Sequence, residues 1–435
     1  MSHTAAETPA ATPASRALSL SKRLVAVGLA ALLPHQAAQA VDWSLSGFGT
    51  VGYAISDQPW RYERVIDNGG TLWRDTIFGA QLDARIAPAW SATLQLTLAP
   101  STRHDRQWST EAAWAFVSWR PNNEWLLRLG KQRVPIFLNS ENRDVGQTHA
   151  FARLPPEIYA LSPTVDFTGA SATRTWLHDS GELVFDVYAG RAQVANRTHS
   201  RDVGVSFVDI DTDMFGAALT WRQEDLTVRG GVVRARSARS DGQNLATDFP
   251  YVQVAPGFGY FQVDNALPGP GVRSSGHIAN EVVYLGADWQ LAPGWRLVAE
   301  AARNFQRRTQ VGLDSAGLSL ALLHTIGDFT PYVSVGRQQS LGSSRLLSRR
   351  LLQSAGSGTD PLSVGQRQAG EAIRVQDQTS AGVGLGWAVT PQSRLKAEWM
   401  HTRIGERSIL VDNPPGETLS GRSINVLSLN YSFAF

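Results

Sequence analysis

The chain of 435 residues has no cysteine. Disulfide frameworks, Cys-ligated zinc, iron–sulfur clusters and thiol catalysis are therefore excluded. Lysine is almost missing as well: Lys22, Lys131 and Lys396 are the only three, so 37 of the 40 basic residues are arginine. Charged residues make up 18%, below the usual quarter or so of a soluble domain. The formal net charge of +2 does not suit a protein that coats nucleic acid. A mean hydropathy of −0.18 excludes a polytopic bundle of membrane helices. What the chain has in quantity is glycine (39) and tryptophan (14).

The one long apolar run is Leu24–Leu33, preceded by Arg16, Lys22 and Arg23 and ended by Pro34. It is too short to span a bilayer as a helix. With Ala38-Gln39-Ala40 behind it, residues 1–40 are expected to be a secretory signal cut after Ala40. Taking the leader's three cations from 40 and Glu7 from 38 leaves 37 basic and 37 acidic residues, a neutral exported chain.

Residues 41–435 alternate apolar and polar positions many times. Ala92, Leu94, Leu96 and Leu98 interleave with Ser91, Thr93, Gln95 and Thr97; Leu395, Ala397 and Trp399 interleave with Arg394, Lys396 and Glu398. This is the period of strands with one apolar and one polar face, and no comparable helical run is evident. Seven short turn signals, such as Pro88-Ala89, Ala292-Pro293-Gly294 and Pro391-Gln392-Ser393, alternate with eight long connections. The long ones lie at about 57–75, 100–108, 132–166, 192–210, 238–277, 306–316, 339–377 and 405–422. Fifteen connections make sixteen strands. The fold class predicted is all-β: an antiparallel transmembrane β-barrel with short periplasmic turns and long extracellular loops. Trp43, Trp90, Trp119, Trp125, Trp176, Trp221, Trp289, Trp295 and Trp387 fall at strand ends on the short-turn side, where indole suits a membrane interface. The chain closes on an alternating segment in which Tyr431, Phe433 and Phe435 share one face.

If apolar faces meet lipid, polar faces point into a lumen too wide for side chains to fill. The inward set includes Gln81, Asp83, Arg85, Gln95, Arg128, Asp186, Tyr188, Arg229, Asp288, Arg296, Glu300, Lys396 and Glu398. The third long loop carries four prolines, mixed charge and apolar residues, among them Ile136, Phe137, Phe151, Ile158 and Leu161. A loop this long is usually functional, and its apolar residues need a surface. Folding inward against the barrel wall supplies one.

Here the chain resembles the sixteen-stranded, general-diffusion porins of Gram-negative outer membranes. Gly130–Tyr159 (GKQRVPIFLNSENRDVG…ARLPPEIY) is similar to a family of proteobacterial porins. The resemblance implies that the loop at 132–166 is the pore constriction, with Glu141, Asp144 and Glu157 as its acidic side. It implies facing wall cations, for which Arg85, Arg128, Arg229, Arg296 and Lys396 are the candidates. It implies a homotrimer, and an aromatic terminus (Tyr431, Phe433, Phe435) read by the outer-membrane assembly machinery. Partners would be outer-membrane lipid and lipopolysaccharide, and small hydrophilic solutes and ions that diffuse passively. No cofactor, metal, nucleic acid or catalysis is expected. A channel specific for an anionic solute is the alternative, with a barrel enzyme or receptor behind it. His178-Asp179-Ser180 are adjacent in a short turn and do not make a catalytic set, and no GxSxG motif is present. The basic amphipathic stretch Arg345–Leu352 is a further candidate for gripping phosphates.

Overall fold

A computed structural model describes residues 41–415 and 417–435. The signal segment expected over 1–40 lies outside the described residues. The barrel strands are β1 (Asp42–Ser56), β2 (Ile77–Ala87), β3 (Trp90–Pro100), β4 (Trp108–Trp119), β5 (Trp125–Arg133), β6 (Asp166–His178), β7 (Gly181–Ser200), β8 (Gly204–Arg222) and β9 (Leu226–Arg239). They continue as β14 (Ile278–Ala292), β15 (Trp295–Gln306), β16 (Ser315–His324), β17 (Phe329–Ser340), β18 (Gln376–Thr390), β19 (Ser393–Ser408) and β20 (Ser423–Ala434). These sixteen form one closed barrel in chain order. Closure is antiparallel between the first and last strands, from Phe48↔Ala434 to Ser56↔Val426. Both ends of the barrel chain sit on the short-turn side. The remaining strands, β10 (Leu245–Asp248), β11 (Tyr251–Ala255), β12 (Phe258–Phe261) and β13 (Arg273–Ser275), form two small two-stranded sheets inside one long loop.

The alternation decides which face meets which medium. On β3, Leu94, Leu96 and Leu98 are 42–43% exposed on the outer face, while Gln95 and Thr97 are 7% and 6% exposed on the inner one. Inner polar groups satisfy one another in the absence of bulk water on one side: Gln95 Nε2 donates to Gln81 Oε1 (2.8 Å), and Thr93 Oγ1 and Gln81 Nε2 donate to Asp83. Short turns hold tightly. Gly294 sits at φ 79° between β14 and β15, a conformation that glycine adopts without a Cβ penalty. The short-turn rim is aromatic: Trp90 stacks on Trp119 (5.8 Å), Trp387 on Phe329 (5.7 Å) and Trp295 on His324 (4.1 Å). At the seam, Phe435 N donates to Gly47 O and Gly47 N to Phe435 O, both at 2.9 Å. Gly47 and Gly49 leave the space that the Phe435 and Phe433 rings occupy.

The long-loop side differs from the sequence reading in two places. The connection expected over 192–210 is a continued ribbon: β7 and β8 stay paired to Ser200↔Gly204 and turn in three residues. Polar residues beyond the bilayer look loop-like in sequence, yet they pair as well as apolar ones. The segment 339–377 holds two helices, α1 (Ser343–Ala355) and α2 (Pro361–Ala372). The basic stretch Arg345–Leu352 is part of α1. Leu347, Leu351 and Ala355 recur at a spacing of four and are buried, which is helical period. Leu347 and Leu351 pack on Phe261, Ile373 and Val375. Asp360 caps α2, accepting from Ser363 N at 3.0 Å, with Pro361 in the first turn.

A loop packed on the inner wall and the passage beside it

The segment 134–165 leaves the wall at the end of β5 and lies against the inner face of the barrel. Val134, Ile136, Phe137, Ile158, Tyr159 and Leu161 pack with Phe167, Tyr188, Met214, Val233, Val282 and Tyr284 of the wall. Ala150 and Phe151 pack with Val298, Ala321, Leu323 and Tyr332. Burial of these side chains contributes about 1.5–3 kcal/mol each against exposure, which is ample to hold a segment whose regular structure is limited to single turns at Gly146–Thr148 and Pro156–Tyr159. Backbone polar groups are met by wall side chains. Leu138 N donates to Glu300 Oε1 (2.8 Å), Ala152 N to Tyr332 Oη (3.1 Å), and Ala152 O accepts from Asn430 Nδ2 (2.7 Å). Close approach depends on glycine. A Cβ at Gly317 would lie 2.3 Å from Glu157 O, and one at Gly336 would lie 2.9 Å from the Glu157 carboxylate.

The eight charged residues expected at a constriction separate into distinct environments. Glu141 is on the loop surface, 3.8 Å from Arg128. Arg128 also lies over the Phe116 and Trp114 rings, at 5.2 and 5.8 Å. Asp144 pairs with Arg133. Arg85 is exposed near the short-turn end with no ion-pair partner among the described residues. Arg296 pairs with Asp288 (2.6 Å from Nε) near the same end. Arg229 is buried, donating to Pro135 O (2.5 Å) and Thr220 Oγ1 (3.1 Å), and it lies 3.4 Å from Asp186.

Three placements correct the expectation: Arg229, buried where it holds Pro135 of the loop, Glu157 and Lys396. Glu157 is 1% exposed, accepts from Gln378 Nε2 (2.7 Å) and Ser380 Oγ, and faces the wall behind the loop. Burial pushes its carboxyl above the ordinary range. Lys396 is also 1% exposed, and its Nζ donates to Gly146 O at 2.7 Å. Both side chains hold the loop to the wall, Glu157 behind the loop and Lys396 at the edge of the smaller cavity, and they do not oppose each other across water.

The loop leaves the β2–β8 side of the interior open. Two cavities of about 440 and 1080 Å³ adjoin there, with Ile77, Pro100, Arg143, Asp144 and Tyr159 bordering both. Their charged lining is nine cations (Arg64, Arg74, Arg103, Lys131, Arg133, Arg143, Arg153, Arg191, Lys396) against seven anions (Glu63, Asp75, Asp105, Glu111, Asp144, Asp166, Asp211). The first long connection, 57–76, helps to shape the smaller cavity, a contribution the sequence reading missed. Glu63 is buried between Arg74 and Arg153 (3.6 Å), and Arg153 also grips Asp75 at 3.0 Å. Burial pushes the Glu63 carboxyl up, but the two guanidinium groups outweigh this and hold it below its ordinary range. Arg143 borders both cavities and has no hydrogen-bond or ion-pair partner among the described residues. No grouping of three or more His, Cys, Asp or Glu with metal-binding geometry occurs among the described residues.

No family model matches the chain, and no curated protein matches it by sequence. Solved structures do match by fold. The trimer form of OmpT, an outer membrane protein of Vibrio cholerae, superposes with a TM-score of 0.52 at 9% identity, covering 91% of this chain and 100% of that one. The outer membrane channel DcaP of Acinetobacter baumannii gives 0.52 at 12% identity, over 91% and 97%. The chain has a closed sixteen-stranded antiparallel barrel and is similar in fold to these outer-membrane proteins.

Proposed function

We propose that this chain forms a water-filled channel in a Gram-negative outer membrane and passes small hydrophilic solutes and ions by diffusion, without catalysis. What supports this reading is the pair of adjoining cavities beside the packed loop, lined by charges of both signs. Opposed charges across a low-dielectric wall order water and dipolar solutes and disfavour apolar ones, while width and charge rings set ion preference. Nine cations against seven anions favour anions weakly. Arg143, free of a partner and next to the Asp144–Arg133 pair, is the residue best placed to set that preference. Arginine suits the task because its guanidinium stays charged and holds its hydration shell loosely.

Three further parts belong to this reading. The leader 1–40 directs export and is removed. Tyr431, Phe433 and Phe435 are the handle by which the assembly machinery takes the chain. The chain assembles as a homotrimer, in line with the trimer form of the Vibrio cholerae protein. A channel specific for an anionic solute is the second reading, favoured by the unpartnered Arg143. Conductance that saturates with one anion would select it.

The test is single-channel recording in planar bilayers. Replacing residues 139–152 by a short Gly-Ser linker should raise conductance severalfold. Unchanged conductance would show that the segment does not narrow the path, and absence of current from the intact protein would end the channel reading.

A further inference from the structure

The β7–β8 ribbon runs past the wall that carries it. β6 accompanies β7 only as far as Thr168↔Arg191, and β9 accompanies β8 only as far as Ile210↔Arg239. Past those points the ladder joins β7 and β8 to each other alone, out to Ser200↔Gly204. At about 3.3 Å per residue, residues 192–200 reach about 30 Å. Sixteen strands about 4.8 Å apart and tilted near 40° close a barrel roughly 30 Å across. The free ribbon is therefore long enough to span the mouth.

Its contacts lay it across that mouth. In the ring of sixteen strands, β7 and β8 stand seventh and eighth. The connection from β19 to β20 follows the fifteenth strand, half a turn away, and α2 lies between the thirteenth and the fourteenth. Both reach the ribbon. Arg197 donates through Nε and Nη2 to Asp105 of the β3–β4 connection, and through Nη1 and Nη2 to Asp412 of the β19–β20 connection, all at 2.7–3.0 Å. These three side chains are only 9–13% exposed. At the tip, Arg201 donates to Glu371 of α2 from its backbone N (2.9 Å) and its Nε (2.6 Å), and from Nη1 to Glu417 O (3.2 Å). Arg367 of α2 donates twice to Asp202, at 2.6 and 3.0 Å, and Arg374 once to Asn196, at 2.5 Å. Guanidinium–carboxylate forks fix direction as well as contact. Nearer the root, Ala192, Gln193, Val194 and Ala195 border the larger cavity, so the same ribbon forms part of its boundary.

We propose that this ribbon is a strap across the long-loop mouth of the barrel and sets the upper size limit of the solutes that enter. A solute passes between the strap and the rim on either side. Thin molecules enter and long or branched ones do not, ahead of any selection at the loop 134–165. The inference deepens the reading of the chain as a channel and rests on it.

Proteoliposome swelling with arabinose and the tetrasaccharide stachyose tests it, the readout being the ratio of their entry rates. Replacing residues 195–209 by Asn-Gly joins Val194 and Ile210, already partners, through a two-residue hairpin turn. The stachyose-to-arabinose ratio should rise severalfold. Arg197→Gln with Asp202→Asn keeps the ribbon at full length and removes its main pins, and should move the ratio the same way. Adding Arg201→Cys and Glu417→Cys to that variant gives the chain its only two thiols. A bis-methanethiosulfonate about as long as an arginine side chain then draws the tip back, and the ratio should return to the wild type's and rise again on reduction. An unchanged ratio in both the shortened and the unpinned chains, each keeping heat-modifiable migration, overturns the proposal. So does complete cross-linking that leaves the ratio where it was, and so does a thiol pair that fails to cross-link. Arabinose entry separates the two readings: no entry in any of these chains removes the channel, whereas entry with a flat ratio removes the strap alone.

Discussion

Arg143 borders both cavities, and the nearby carboxylates have other partners: Asp144 pairs with Arg133, and Glu63 with Arg74 and Arg153. A cation about 4–8 Å from a passing monovalent ion changes that ion's energy by about 0.5–1 kcal/mol at the dielectric of water. Arg143→Gln should therefore lower the anion-to-cation permeability ratio by about two- to fivefold, read as a shift in reversal potential under a salt gradient, with conductance little changed. Arg153 poses the opposite case. Its side chain is 7% exposed, grips Asp75 and touches Glu63, so Arg153→Met leaves two buried carboxylates sharing the single cation Arg74, a change that costs up to about 3–5 kcal/mol. A marked drop in the midpoint of thermal unfolding should follow, and an unchanged midpoint would mean that the cluster is solvated. Single-residue facing was legible in the sequence, because parity along a strand fixes it. Which inward charges stay wet was not. Lys396 has the strand parity of a pore residue and Glu157 is an acid of the inward loop, and only the way the loop lies on the wall buries the two side chains.

Strands were the elements easiest to foresee, since a two-residue period and turn chemistry reinforce each other. Leu96, outward and near the middle of β3, gives the direct check: Leu96→Arg should destabilise the folded barrel by about 2–4 kcal/mol in lipid. The inward loop depends on a feature that strand patterns hide, namely glycine at inward positions of the wall. Gly317→Val would place a branched side chain where Glu157 O already lies 2.3 Å from a bare Cβ. Overpacking of this kind costs about 1–3 kcal/mol. The loop should lift, raising conductance while the barrel keeps its heat-modifiable migration; an unaltered channel would show that the wall can yield instead. Helices α1 and α2 escaped notice because their apolar residues come in adjacent pairs, Leu346-Leu347 and Leu351-Leu352, amid arginine, which reads as a basic patch. The Asp360-Pro361 start was the available sign. Glu63 and Arg64, at φ 44° and 78°, fold the first long connection back on itself in a way that no residue preference announces.

At the scale of the molecule, the interior is divided. The loop 134–165 packs on wall residues from β6 round to β20 and leaves open the cavities bordered by the long-loop ends of β2–β8. The absence of cysteine makes this division open to a clean probe, because one introduced thiol is the only thiol in the chain. The most direct measurement is single-channel current through an Arg143→Cys variant before and after adding a bulky, negatively charged methanethiosulfonate, with mass spectrometry confirming complete modification. If solutes cross beside the loop, the current falls in discrete steps on modification, and the same reagent leaves the cysteine-free wild type unaffected. Full modification of residue 143 with no change in current would contradict the account and place the conducting path elsewhere.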